Sequence, residues 1–200
     1  MIGRFPSLKM RRMIAFESLI EQDYIFILDF EPEVLAFSEQ PIQIEYVWED
    51  RSHHYTPDFL VTRKTGEEIV ECKAQKMVNR DENQRKFQAA RGWCQNQGWH
   101  FRVVTDEEIR AGNRLNNIKL LTRHARISFT PDLLRQTRLC LQTLLYPQCL
   151  THVAKLILPD QLELGVSILL YLAYHHQIQL GLDHEPISAS TMIQSSEYSE

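Results

Sequence analysis

Residues 55–75 read YTPDFLVTRKTGEEIVECKAQ, and this stretch decides the fold. The apolar run Phe59-Leu60-Val61 follows Pro57-Asp58, and a second run, Ile69-Val70, leads into Glu71-Cys72-Lys73. Between them, Arg63 to Glu67 form a short turn through Lys64-Thr65-Gly66, so the stretch predicts a β-hairpin. Side chains alternate across a strand, which puts Glu71 and Lys73 on one face and Cys72 on the other. The hairpin brings Asp58 alongside them. Two carboxylates and an ammonium converging at a sheet edge make a site for a divalent metal and a phosphodiester. A Glu-x-Lys pair on a surface hairpin is common by chance. The preceding Pro57-Asp58 and the two flanking apolar runs are what make this one specific.

Working outward, the first dozen residues hold Arg4, Lys9, Arg11 and Arg12 with no acid, and read as a basic N-terminal arm over 1–12. From Met13 to Asp29, apolar residues (Phe16, Leu19, Ile20, Tyr24, Ile27) recur at helical spacing. Short β-rich runs follow at Val34 to Phe37, Ile42 to Trp48, Asp58 to Thr62 and Glu68 to Lys73, with Pro41 and Pro57 at run edges. A helix is predicted over Asp81 to Gln97, N-capped by Asp81 with Gln84 three residues on and stopped by Gly98. Phe101 to Val104 is a further core strand, and Thr105-Asp106 opens another helix. The order predicts an α/β layer with a mixed sheet over 13–126. Beyond it, Thr130-Pro131-Asp132 starts a run of helices near Leu133–Leu145, Leu150–Leu158 and Leu162–Tyr174, followed by a β-like Ile178-Gln179-Leu180. Three helices ending in a small hairpin predict a winged-helix-like module over 127–187, and the Ser-rich residues 188–200 predict a flexible tail.

Composition bounds the function. Cys72, Cys94, Cys140 and Cys149 show neither CxxC pairing nor metal-ligand spacing, and read as free thiols in a reducing cytoplasm. No signal peptide is expected, and the longest apolar stretch, Leu162 to Tyr174, is too short to span a bilayer. The net charge of −4 is unevenly spread. Residues 1–60 carry 5 Lys/Arg against 11 Asp/Glu, residues 61–126 carry 14 against 8, and residues 127–200 carry 3 against 7. The positive charge gathers just beyond Lys73, in Lys76, Arg80, Arg85, Lys86 and Arg91, where contacts to phosphates would be needed. A solvated helix face of mixed charge reads equally well from this feature.

Hydrolysing a phosphodiester requires neutralising charge, placing a water in line and stabilising the leaving oxygen, which carboxylate-held Mg²⁺ can do. Mg²⁺ takes hard oxygen ligands and keeps several waters, so Asp58, Glu71 and the carbonyl of Cys72 would suffice. Lys73 would hold the attacking water or the scissile phosphate, with its pKa lowered by burial and the nearby metal. A further acid is expected from the first helix, where Glu17 and Glu21 lie i, i+4 apart and a helical wheel does not choose between them. The neighbours His53 and His54 would face opposite ways in a strand and read as loop or edge residues, and His175-His176 reads as structural.

Together, Pro57-Asp58 and Glu71-Cys72-Lys73 resemble the PD-(D/E)xK nuclease superfamily. The run ESLIEQDYIFILDFEPEVLAFSEQP, then YTPDFLV and IVECKAQ, resembles more narrowly the TnsA-type endonuclease subunit of heteromeric bacterial transposases, over roughly residues 13–105. Thr105 to Ile109 and the Leu162-Glu163-Leu164-Gly165 segment fit as well. The resemblance implies a restriction-endonuclease-like mixed sheet flanked by helices, then a small, mostly helical winged-helix-like domain. It implies a Mg²⁺-dependent endodeoxyribonuclease, with Mn²⁺ able to substitute, that cuts the 5′ ends of a transposon in double-stranded DNA while a partner transposase subunit cuts the 3′ ends. Asp58 and Glu71 would bind metal, Lys73 would be catalytic, and the spacing to Glu39-Gln40 favours Glu21 over Glu17 as the helix acid. Lys76, Arg80 and Arg85 become candidate DNA contacts by charge. The acidic C-terminal module would dock an ATP-dependent regulator, and the protein would work on DNA in the bacterial cytoplasm. A stand-alone restriction or repair nuclease, or a non-catalytic DNA-bound scaffold, are the competing readings.

Overall fold

The computed structural model describes residues 3–145 and 147–195. The chain divides into two compact units, one ending at Ala111 and one beginning at Gly112. The first holds strands β1 (Gly3–Ser7) and β2 (Arg12–Phe16), helix α1 (Leu19–Phe30), and strands β3 (Val34–Glu39), β4 (Ile44–Trp48), β5 (Arg51–Tyr55), β6 (Phe59–Arg63) and β7 (Gly66–Lys73). It continues with α2 (Gln75–Val78), α3 (Asp81–Gln97), β8 (His100–Thr105) and α4 (Asp106–Ile109).

Its centre is a four-stranded sheet in the order β3-β6-β7-β8, in which β3/β6 and β6/β7 are antiparallel and β7/β8 parallel. The deciding hairpin forms as its residues dictate. Arg63 pairs with Gly66 across the two-residue loop Lys64-Thr65, and Gly66 sits at φ +127, which a Cβ would resist. The register, with Phe59 opposite Val70, places Asp58 at the end of β6 against Glu71. In β7, Ile69, Val70, Glu71 and Cys72 are all buried, as in a strand covered on both faces. Helix α1 packs against β3 and β7, and α3 against β8 and the separate β4–β5 hairpin. Helix α3 ends where expected, with Gly98 at φ +71 closing bonds to the carbonyls of Cys94 and Gln95. Its cap is Arg80, without a side-chain bond, so Asp81 is the first helical residue and not the N-cap.

The N-terminal arm is corrected. Residues 3–16 form the β1–β2 hairpin, with Phe5, Ile14 and Phe16 buried. Polar bonds tie it to α1: the Asp29 carboxylate accepts from Ser7 Oγ and from the backbone N–H groups of Leu8 and Lys9, both at 3.1 Å. Lys9 Nζ donates to the Leu28 carbonyl at 2.6 Å and to that of Glu31, satisfying carbonyls at the helix end. Helix α1 accordingly starts at Leu19, and Phe16 belongs to a strand.

The second unit holds α5 (Arg114–Ala125), α6 (Pro131–Gln142), β9 (Gln148–Cys149), α7 (Leu150–Ile157), α8 (Leu162–Tyr174), β10 (Ile178–Leu180) and β11 (Met192–Ser195). Helix α5, which the sequence reading placed with 13–126, packs on α8 instead. The buried Asn117 on α5 explains why: its amide donates to the carbonyls of Leu182 and Glu185 at 2.8 Å and accepts from the Ile187 N–H at 2.9 Å. Strands β9, β11 and β10 form an antiparallel sheet with β11 in the middle. Helices α7 and α8 meet at a 113° bend. Residues 188–195 are therefore built into the unit and not a flexible tail. Ile193 is fully buried, and Leu150 and Thr151 donate backbone N–H groups to Thr191 and Ala189. The rest of that segment, 196–200, lies outside the described residues. No single described helix is long and apolar enough to cross a membrane.

Candidate active site

The end of the β6–β7 ladder assembles the predicted cluster. Asp58 Oδ2 accepts the backbone N–H of Cys72 at 2.7 Å, which pins this carboxylate beside the Glu71-Cys72-Lys73 strand. Lys73 Nζ stands 2.6 Å from Glu71 Oε1, so these two side chains do share a face. Glu71 is almost wholly buried, at 4 % exposure, whereas Lys73 is half-buried. The second oxygen of Glu71, Oε2, accepts from the hydroxyl of Tyr55 at 2.6 Å.

Burial and the neighbouring Glu71 push the Asp58 carboxyl up from 3.8 to about 8, with the charge of Glu21 adding to them. Burial also lifts the Tyr55 hydroxyl far above its usual range, with Glu71 reinforcing it. For Lys73, burial pulls the ammonium down, but Glu71 and then Asp58 outweigh it, and its pKa is raised. Burial acts on the lysine in the expected direction, but the two carboxylates outweigh it. At neutral pH Lys73 is an ammonium, suited to holding a phosphate or orienting a water and not to accepting a proton.

Ionising Asp58 beside Glu71 would set two buried carboxylates against one lysine, a deficit that a divalent cation would offset. The donors are hard oxygens, and among the described residues no group of three or more His, Cys, Asp or Glu side chains stands ready to enclose a metal. By their chemistry, the carboxylate oxygens of Asp58 and Glu71 would suit a hard cation that keeps most of its waters, such as Mg²⁺. The main-chain group of Cys72 on Asp58 is its N–H.

The two glutamates near α1 are placed differently from a shared helical face. Glu21 lies in the first turn and closes a capping box: Ser18 Oγ accepts its N–H at 3.1 Å, and its carboxylate accepts from Ser18 Oγ at 2.7 Å and from the Glu17 N–H at 2.8 Å. Glu17 precedes the helix. Its carboxylate accepts from the Gln40 side chain at 3.1 Å, and the Gln40 N–H bonds to the Asp58 carbonyl at 2.9 Å. Glu39 makes a bidentate pair with Arg12 at 2.8 and 2.6 Å, which holds its carboxyl below the usual range and fastens β2 to β3.

Of the candidate DNA contacts, Lys76 and Arg80 are exposed around the short α2, while the guanidinium of Arg85 stacks on Trp48, 3.8 Å from the ring centroid. His53 stacks on Tyr46 in the β4–β5 hairpin. Tyr55 is the site residue that sequence reasoning missed. The signal was present: Arg51-Ser52-His53-His54-Tyr55 has β spacing after Ile42 to Trp48, and the last residue of such a strand lies next to Pro57-Asp58.

A mixed sheet flanked by helices, carrying Asp58, Glu71 and Lys73 at the ends of its two central strands rather than on an edge strand, fits the class of restriction-endonuclease-like nucleases. Residues 31–106 match the family model for the TnsA-like endonuclease N-terminal domain, and the match supports a TnsA-type endonuclease. The matched stretch contains Asp58, Glu71, Lys73 and all three candidate DNA contacts, but begins after Glu17 and Glu21. No curated protein matches the chain.

Proposed function

We propose that this protein is the Mg²⁺-dependent endonuclease subunit of a heteromeric transposase, cutting the 5′ ends of a transposon in the bacterial cytoplasm while a partner subunit cuts the 3′ ends. The observation that carries the reading is the convergence of Asp58, Glu71 and Lys73 inside the residues that match the TnsA-like endonuclease domain. Asp58 and Glu71 would hold the cation, with Mn²⁺ able to replace Mg²⁺. The bound cation would supply Lewis-acid polarisation of the phosphate and a nucleophilic water at neutral pH. Lys73, kept protonated by Glu71, would seat the scissile phosphate. Exposed Lys76 and Arg80 would take flanking phosphates, and Arg85, braced by Trp48, would add a third contact.

For the second unit, the order helix, helix, strand, helix, helix, strand, strand, with β11 between β9 and β10, supports a winged-helix-like reading from α6 onward. With α5 included, residues 112–200 carry 7 Lys/Arg against 7 Asp/Glu, a balance without the basic excess that a phosphate backbone calls for, which suits a protein partner better. We assign it the ATP-dependent regulator.

A strand-resolved nicking assay with the partner transposase, Mg²⁺ and transposon-end DNA tests the reading. Lys73→Ala should cut the 5′ strand at least about a hundredfold more slowly. Unchanged 5′ cleavage would remove Lys73 from the chemistry. Robust cutting of random DNA by the chain alone would point to a stand-alone nuclease. In the same assay Glu21→Gln should lose most activity and Glu17→Gln little, if Glu21 is the helix acid. The reverse ranking would make the Glu17–Gln40–Asp58 connection the functional one.

A further inference from the structure

We infer that Tyr55 is a positioning residue of the cation site: its buried, immobile hydroxyl holds Oε2 of Glu71, so the oxygen left to offer is Oε1. The partner of Oε1, Lys73, is half-exposed on a long side chain that can swing toward a phosphate. The inference rests on the nuclease reading above, in which Glu71 is a ligand. Three observations support it. The Tyr55 hydroxyl donates to Oε2 at 2.6 Å in a buried environment, a short bond to a charged acceptor. Lys73 takes the other oxygen, also at 2.6 Å, so the two donors together fix the plane of the carboxylate. Tyr55 is itself immobilised, since its ring is buried in a cluster with Ile44 and Ala90 where the β4–β5 hairpin meets α3.

The consequence is a matter of coordination geometry. Mg²⁺ demands a near-regular octahedron and dehydrates reluctantly, and the narrow bite of a bidentate carboxylate does not fit it. Ca²⁺ accepts six to eight oxygens, bidentate carboxylates included. A Glu71 restricted to Oε1 therefore favours Mg²⁺. Freed at Oε2, it can turn and chelate, and the preference moves toward Ca²⁺. Tyr55 acts through Glu71 and touches neither the cation nor the substrate.

Calorimetric titration of the whole chain with Mg²⁺ and separately with Ca²⁺ reads this directly, without DNA or cleavage. Tyr55→Phe keeps the ring in its cluster and removes only the hydroxyl. It should lose about tenfold in Mg²⁺ affinity, the loss typical of removing a group that orients a metal ligand, with Ca²⁺ affinity held. Ile44→Val, a packing change in the same cluster, should lower the melting temperature and leave the Ca²⁺/Mg²⁺ ratio where it is. An unchanged ratio in Tyr55→Phe, or an equal shift in Ile44→Val, overturns the role of Tyr55 while the cation site stands. A wild-type chain that binds neither cation overturns the cation site, and the positioning role with it.

Discussion

Asp58→Asn should abolish cleavage and, at alkaline pH, make the protein more stable. The carboxyl of Asp58 is pushed up from 3.8 to about 8, by burial first and by Glu71 next. Between about pH 4 and 8 the folded chain therefore keeps a proton that the unfolded chain has released. By linkage, stability falls as the pH rises through that window, and the full cost is present above about pH 8. That cost is on the order of a few kcal/mol at pH 8. The amide carries no charge, and its oxygen can still accept the Cys72 N–H that Asp58 accepts at 2.7 Å. Thermal melts at pH 8.5 should place Asp58→Asn several degrees above the parent chain, with the gap closing toward pH 4. Millimolar Mg²⁺ should raise the parent and leave the variant still, because a cation that binds only the folded state stabilises it by mass action. Cleavage should fall more than about a hundredfold, beyond the loss seen when only a ligand's supporting bond is removed. A variant that melts below the parent at pH 8.5 would show that Asp58 is not a strained carboxyl.

The Asp58 site was readable because its determinants are local. Turn chemistry at Lys64-Thr65-Gly66 sets the hairpin register, and strand alternation then fixes which side chains meet. The same logic predicted β6, β7, β8 and the Gly98 stop of α3. For Tyr55, the β spacing of residues 51–55 places it next to Asp58, but its bond to Glu71 depends on how the β4–β5 hairpin docks, which that spacing does not specify. The β1–β2 hairpin was missed for a different reason. Arg4, Lys9, Arg11 and Arg12 dominate the composition, while its core residues, Phe5, Ile14 and Phe16, are few and alternate at a period of two. The basic residues there mask a period-two strand pattern. At the other end, the serines around Met192-Ile193 suggested disorder, although one buried isoleucine and a central position between β9 and β10 suffice to hold a strand. The boundary near 126 slipped because α5 is amphipathic and fits either unit by pattern; the bonds of Asn117 to residues 65 to 70 positions away decide its place.

Gly165 sets up the second large effect. It lies in α8, in helical conformation, so its glycine is not required by backbone dihedrals. What it supplies is room: a Cβ there would stand 2.7 Å from the carbonyl oxygen of Ala154 on α7, and 3.2 Å from that residue's carbonyl carbon and Cα. All three are backbone atoms, so relief requires the helices to part. In an exposed helix, glycine to alanine gains up to about 1 kcal/mol from reduced chain entropy. Here the close approach should reverse the sign, and Gly165→Ala should cost about 1–3 kcal/mol, as overpacking does. Gly165→Val adds two methyl groups at the same point and should unfold the second unit outright. Gly165 lies in the unit that begins at Gly112, so far-UV circular dichroism should show loss of that unit's helical signal, while Mg²⁺ binding at Asp58 and Glu71, in the unit ending at Ala111, survives. If this unit docks the regulator, capture of the regulator should disappear in the same variant. A Gly165→Ala chain that melts higher than the parent would mean that α7 and α8 are free to separate, and the tight crossing would no longer explain the glycine.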